Sequence, residues 1–152
     1  MCSAVDETTV FRVGWTDLDR YQSLLVDLAD PPYEVWDQFA GAPLADAWVP
    51  LPVYIEQPRL EQPSFWKLIG AAVIAMEDEV IDLVAEFIYP VGELLPLIES
   101  GTGRKFSALN ILRDIDCLSP SAVQVESLTF TPDFLAHRLP ESGLFKVPQV
   151  IG

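Results

Sequence analysis

The chain has few cysteines, one histidine and few basic residues, and these shortages exclude several classes of protein. Its two cysteines, Cys2 and Cys117, stand far apart and form no C-x-x-C pair. That excludes a disulfide-rich secreted scaffold and is typical of a protein from a reducing compartment. His137 is the only histidine. A zinc site or a histidine-based triad would have to use it, and neither cysteine is spaced to help.

Long hydrophobic runs are also missing. The longest apolar run near the middle of the chain, Leu68 to Met76, is much too short to span a bilayer. The first residues, MCSAVDETTVFRV, have neither the basic region nor the apolar core of a signal peptide. We therefore expect a cytoplasmic protein that has no membrane partner.

Basic residues are outnumbered by acidic ones. Nine Lys and Arg residues stand against 23 Asp and Glu residues, which gives a net charge of −14 and a pI near 4.1. Such a surface repels nucleic-acid phosphates, so we expect no nucleic-acid partner. It would accelerate encounter with a basic protein, although acidic composition also serves solubility alone.

The residues that are present predict one domain. The 152 residues are 50% hydrophobic and 11% aromatic, which is enough for a sizeable core. Thirteen prolines lie mostly in connections, and no regular alternation of strands and helices occurs. This pattern predicts a single α+β domain over residues 1–152, with a mixed or antiparallel sheet and two main helices.

Two helices are predicted from apolar residues at helical spacing. The first begins at Thr16, uses Leu18, Tyr21, Leu24 or Leu25 and Leu28 as its apolar stripe, and ends before Pro31. The second runs from Glu77 to Ile88, with carboxylates in its first turn, and Tyr89-Pro90 ends it. Its apolar stripe consists of Val80, Val84 and Phe87 or Ile88, widened by Ile81 and Leu83. Further predicted strands are Thr8–Val13, Trp48–Ile55 (an edge strand or an extended segment, because of its prolines), Phe106 to about Ile115, Val123–Phe130 and Leu144–Val147. A turn is predicted at Gly101-Thr102-Gly103 and a helical turn at Pro132–His137.

Asp114 and Asp116 carry the most suggestive chemistry. In a continuous strand they would project from the same face as Asn110, and paired carboxylates can bind Mg²⁺ or share a proton. No phosphate-cradling glycine loop or lysine accompanies the pair. The alternative interpretation, which we favour, is that the strand ends near Ile115 and its charges lead into a turn.

The carboxylates of Glu77, Asp78 and Glu79 also have two interpretations. They are placed to stabilise the start of a helix, and they could equally form an acidic surface for a partner. Trp36, Trp48 and Trp66 are interpreted as core or rim aromatics rather than a ligand cage. We expect no cofactor and no metal site.

Five phrases in the second part of the chain resemble those of a known family. They occur in the family's order and with plausible spacing, and they read WVPLPV (Trp48–Val53), GELLPL (Gly92–Leu97), FSALNILRDIDCLSPS (Phe106–Ser121), FTPDFL (Phe130–Leu135) and LFKVPQ (Leu144–Gln149). The chain thereby resembles the bacterial immunity proteins of polymorphic-toxin systems, common in myxobacteria and often called the immunity-eleven family. Members usually continue past the last phrase with a strand, a helix and a strand, so the resemblance implies that this C-terminal part is missing.

The resemblance implies a non-enzymatic function. A member binds a cognate protein toxin, which we expect to be basic, and neutralises it by non-covalent occlusion. The candidate partner-binding residues are Asp114, Asp116, Glu77, Asp78 and Glu79. Two alternatives stay open: a divalent-metal-dependent or cryptic enzyme that uses Asp114 and Asp116, and a homo-oligomeric structural or scaffold protein.

Overall fold

A computed structural model describes residues 19–28, 39–69 and 73–117, together with the single residues Leu135, Arg138 and Phe145. These ranges contain six strands, one α-helix and one short 3-10 helix. In chain order they are β1 (Ser23–Val26), the 3-10 helix (Ala45–Ala47), β2 (Leu51–Glu56), β3 (Trp66–Leu68), β4 (Val73–Met76), α1 (Asp78–Ile88), β5 (Gly92–Glu99) and β6 (Lys105–Ile111).

The six strands form a closed barrel in the order β1-β2-β5-β6-β4-β3. The β1–β3 and β2–β5 pairs are parallel, and the other four pairs are antiparallel. The prediction of a mixed sheet in an α+β chain is therefore confirmed. The sheet closes on itself, however, and the described ranges contain one main helix where the sequence predicted two.

Alternating side chains fill the barrel. In β5, Leu95 and Leu97 have no solvent exposure, whereas Pro96 and Ile98 between and after them face outward. Residues two apart share a face of a strand, so the side chains of each strand point alternately into the barrel and out of it. The buried interior cluster consists of Leu24, Val26, Phe39, Val53, Trp66, Leu68, Val73, Ala75, Leu95, Leu97, Phe106 and Ala108.

The helix α1 covers part of the outside of the barrel, as its predicted apolar stripe requires. Ile81 and Ile88 are buried against Met76 and Leu109, which face away from the barrel interior. Asp78 and Glu79 occupy the first turn, where carboxylates interact favourably with the helix dipole. The prediction of a helix from Glu77 to Ile88 is confirmed to within one residue, because Glu77 is the N-cap residue.

The first predicted helix is wrong in the part that the structure describes. Residues Ser23–Val26 form β1, in which Leu24 and Val26 point into the barrel while Ser23 and Leu25 are only partly buried. A short apolar run fits both periods, and here pairing with β2 and β3 outweighs the helical spacing.

The proline-rich strand is not an edge strand. β2 pairs with β1 on one side and with β5 on the other. Pro52 lacks an N–H, but its carbonyl oxygen accepts a hydrogen bond from the Asp27 N–H at 2.8 Å. Proline is tolerated here because its position in the ladder uses the acceptor and not the missing donor.

The turn predicted at Gly101-Thr102-Gly103 is present at one end of the barrel. The Glu99 carboxylate accepts hydrogen bonds from the Thr102 hydroxyl and from the N–H groups of Gly101 (2.9 Å) and Thr102 (2.6 Å). These bonds, with that of the Thr102 hydroxyl the largest, lower the pKa of Glu99 below its ordinary value. Gly103 has φ +74°, a conformation that favours glycine.

Gly92 is required where β5 meets β6. A Cβ atom at this position would overlap the carbonyl oxygen of Asn110, which is backbone and has little room to move. The strands can therefore approach this closely only if the residue has no side chain.

Several predicted elements lie outside the described residues. They are the strands Thr8–Val13 and Val123–Phe130, the start of the first helix at Thr16, and Trp36. Of the predicted turn Pro132–His137 and the predicted strand Leu144–Val147, the structure describes only Leu135 and Phe145, which test neither.

Candidate protein-interaction site

The outward face of α1 combines exposed carboxylates with exposed large apolar side chains. At about 100° per residue, four carboxylates share one side of the helix and two apolar residues lie beside them. We call the carboxylates the acidic row (Asp78, Glu79, Asp82 and Glu86) and the apolar residues the apolar pair (Leu83 and Phe87). Leu83 is 79% exposed and Phe87 is 57% exposed.

The composition of this face differs from that of an ordinary solvated helix. α1 contains four acidic residues and no basic residue, so no intrahelical ion pair offsets their charge. Leu83 and Phe87 are four residues apart and therefore adjacent on the surface. A contiguous pair of large apolar side chains beside a strip of one charge sign is typical of a protein-binding surface.

An ion pair fixes the beginning of α1 to the barrel. The Arg104 guanidinium donates from Nε to Glu77 Oε1 and from Nη2 to Glu77 Oε2, both at 2.5 Å. The same guanidinium lies over the rings of Trp66 and Phe106, 5.2 and 5.1 Å from their centroids. Gln62 donates a further hydrogen bond to Glu77 Oε2 at 3.1 Å. The hydrogen bonds to Glu77 raise the pKa of Arg104 above its ordinary value.

This arrangement divides the predicted acidic surface. Glu77 is engaged by Arg104 and only 19% of its side chain is exposed, so it positions the helix rather than meeting a partner. Asp78 and Glu79 are exposed and belong to the acidic row. Of the three carboxylates predicted at this helix start, two therefore lie on the candidate interaction face.

We expect Arg104→Gln to lower the free energy of unfolding by about 1–2 kcal/mol, because it leaves the half-buried Glu77 carboxylate without its charged partner. Equilibrium denaturation in urea measures the change. The matched control is Arg20→Gln, which breaks the Arg20–Glu61 pair, where 56% and 61% of the side chains are exposed. Its expected loss is below about 0.5 kcal/mol, and an equal loss in both variants would contradict the positioning role of Arg104.

Asp114 and Asp116 do not share a strand face with Asn110, which agrees with the favoured interpretation that the strand ends before them, although it ends earlier than the predicted Ile115. β6 ends at Ile111, before either carboxylate, and both residues are exposed. Arg138 Nη1 donates to the Asp116 carbonyl oxygen at 3.0 Å and lies 3.4 Å from its carboxylate. Within the described ranges, no three His, Cys, Asp or Glu side chains are grouped closely enough to hold a metal ion.

The other chemically reactive residues fall into two groups. Cys117 is a free, fully buried thiol, and burial raises its pKa. His137 and Cys2 lie outside the described residues. Trp66 is fully buried and Trp48 packs against the interior cluster, which agrees with their interpretation as core and rim aromatics.

Sequence reasoning missed four of the six residues of the candidate interaction face. It placed Leu83, and Phe87 as an alternative to Ile88, in the apolar stripe, and it did not single out Asp82 or Glu86. A helical wheel centred on Ile81 and Ile88 would have found the error, because Leu83 and Phe87 lie more than about 100° from that centre.

The chain matches no protein-family model, no curated protein and no solved structure. Among the described residues, α1 is the longest helix, and no helix has the length and apolar character needed to cross a bilayer.

Proposed function

We propose that this chain is a cytoplasmic immunity protein that binds a basic cognate toxin and neutralises it by non-covalent occlusion. The observation that carries the proposal is the exposure of Leu83 and Phe87 beside the acidic row on one helix face. The ordered phrases from Trp48 to Gln149 and the net charge of −14 support the same function.

The apolar pair supplies the anchors. Binding energy in protein interfaces is concentrated in a few large side chains that become fully desolvated, surrounded by a polar rim. Leu83 and Phe87 have the size and adjacency of such anchors. The partner therefore needs an apolar hollow that accepts two neighbouring side chains of one helix.

The acidic row supplies the charge complementarity. Its four carboxylates lie beside the anchors, so the rim of the partner's hollow must carry Lys or Arg residues to avoid repulsion. The net charge of −14 adds long-range attraction to such a surface, which increases the association rate more than it slows dissociation.

Neutralising part of the acidic row tests this division of roles. We expect Asp82→Asn combined with Glu86→Gln to lower the association rate constant about tenfold at low salt, with a much smaller change in the dissociation rate. Stopped-flow mixing with the purified toxin over a salt series measures both. The control carries the same charge change at exposed acidic residues away from α1, Asp27→Asn with Asp46→Asn. Equal slowing in both variants would show that overall charge, and not the row, steers the encounter.

Co-expression tests the function itself. We expect that the toxin encoded beside this gene stops growth when produced alone, and that co-production of this chain restores growth. The two proteins should also co-purify at a constant ratio. The proposal is rejected if the chain neither restores growth nor co-purifies with the toxin.

A further inference from the structure

Residues 39–48, which we call the strap, cross one end of the barrel. The strap contacts the start of β5 and the end of β6, through Glu93 and Asn110. Its first residue, Phe39, is buried in the interior cluster, and its last, Trp48, packs edge-to-face on Phe39 with ring centroids 5.7 Å apart. Between them the chain turns at Gly41, where φ is +95°.

The polar attachments of the strap converge on one pair of side chains. Glu93 and Asn110 are register partners on β5 and β6, one step beyond the buried pair Leu95 and Ala108. Residues two apart share a strand face, so Glu93 and Asn110 face the barrel interior at its end. Asn110 has no solvent exposure, and its amide Nδ2 donates to both Glu93 Oε1 (2.8 Å) and the Ala42 carbonyl oxygen (2.9 Å).

The Glu93 carboxylate is the centre of this attachment. It accepts hydrogen bonds from the Leu44 N–H at 2.6 Å, from the Ala45 N–H at 3.2 Å and from Asn110 Nδ2. Three donors therefore meet one carboxylate, and the ionised form accepts all of them without presenting an O–H of its own. Burial raises the pKa of Glu93, but the hydrogen bonds from Asn110, Leu44 and Ala45 together outweigh it and hold the pKa below its ordinary value of 4.5.

Among the described residues, few other hydrogen bonds join the strap to the six strands. In the described part of the chain, its own backbone hydrogen bonds are local, from Ala47 to Leu44 and from Trp48 to Ala45. No backbone hydrogen bond among the described residues joins it to a strand, and one side-chain bond runs from Trp48 Nε1 to the Pro96 carbonyl oxygen at 2.9 Å. Segments with few ladder hydrogen bonds open at lower free energy than a barrel core.

We propose that the strap is a lid that the ionised Glu93 carboxylate holds shut, and that it opens as a unit separate from the barrel. Opening withdraws Phe39 from the interior cluster and uncovers the barrel end at Leu95 and Ala108. The only charged residue on the strap is Asp46, which is exposed, and Lys105 of β6 lies at the opposite end of that strand. The latch is complete above pH 4.5 and weakens as the pH falls through the lowered pKa of Glu93.

Glu93→Gln tests the latch. Glutamine presents one acceptor oxygen and one amino group, so at least one strap N–H meets a donor instead of an acceptor. We expect hydrogen exchange of the Leu44 and Ala45 amides to accelerate about 10- to 100-fold, as for the loss of one or two hydrogen bonds to a charged group. Exchange of the ladder amides of β5 and β6 stays close to its original rate. The matched control is Asp46→Asn, which removes the same charge from an exposed position of the strap and leaves all these rates unchanged.

Two results would overturn the proposal. The first is unchanged exchange at Leu44 and Ala45 in Glu93→Gln while the ladder amides stay protected. The second needs no variant and comes from amide exchange of the native protein at low urea. It is an equal free energy of opening, with an equal urea dependence, for the strap amides and the ladder amides. That result would show that strap and barrel open only together, whereas a smaller urea dependence at the strap supports a separate lid.

Discussion

Trp66→Ala is expected to lower the free energy of unfolding by about 3–5 kcal/mol, the largest single effect predicted for this chain. The Trp66 side chain has no solvent exposure and lies inside the barrel. It packs edge-to-face on Phe106, with ring centroids 5.1 Å apart, and carries the Arg104 guanidinium over its ring. Alanine removes both contacts and leaves a cavity in a closed interior that has little freedom to collapse. Urea denaturation followed by circular dichroism measures the loss.

Two further variants sharpen this prediction. Phe65→Ala, at the adjacent residue, removes a ring that is 46% exposed and should cost less than about 1 kcal/mol. Trp66→Phe should cost less than Trp66→Ala, since it keeps an aromatic ring and also removes the indole N–H, a buried donor that has no hydrogen-bond partner among the described residues. A loss below about 1.5 kcal/mol for Trp66→Ala would contradict the packed interior.

Leu83→Ala combined with Phe87→Ala is expected to weaken toxin binding at least about 100-fold while leaving the stability of the free protein within about 0.5 kcal/mol. The two effects separate because both side chains are exposed in the free protein and become desolvated only in the complex. Each truncation at an anchor position typically costs about 2 kcal/mol of binding free energy. The effects of two neighbouring truncations are not strictly additive. Isothermal titration calorimetry with the purified toxin measures the dissociation constant.

The control for the anchors is a matched pair elsewhere on the surface. Tyr54 and Ile98 lie on the outer barrel surface and are 40% and 41% exposed. Tyr54→Ala with Ile98→Ala also removes one aromatic and one aliphatic exposed side chain but leaves α1 intact, so the dissociation constant should not change. If this pair weakens binding and the α1 pair does not, the interaction face lies on the barrel wall instead.

The elements predicted correctly from the sequence are those that neighbouring residues specify, through helix ends, apolar periodicity and turn residues. The α1 helix was placed to within one residue, because its carboxylate-rich start, its apolar stripe and Pro90 all agree. The turn at Gly101 was placed because two glycines within three residues are a local turn signal. β1 was misassigned because its four residues are too short for periodicity to separate a strand from a helix.

Barrel closure could not be predicted from local signals. It depends on the parallel pairing of β2 with β5, whose residues Leu51 and Leu97 are register partners although they are far apart in the chain. The same limit applies to the candidate site. Asp78 and Glu79 were found because they begin a helix, whereas the exposure of Leu83 and Phe87 depends on which side of α1 meets the barrel.

Closure of the sheet also determines how this chain can recognise another protein. Each of the six described strands has a hydrogen-bonded neighbour on both sides, so none presents a whole free edge to an incoming strand. The described sheet therefore offers no whole strand edge to a partner's backbone, and such pairing is a mode of recognition that tolerates many sequences because it reads the main chain. This favours recognition through side chains, such as those of α1. Under the proposed function, substitutions at a few surface positions would then be enough to change which partner is recognised while the barrel stays the same.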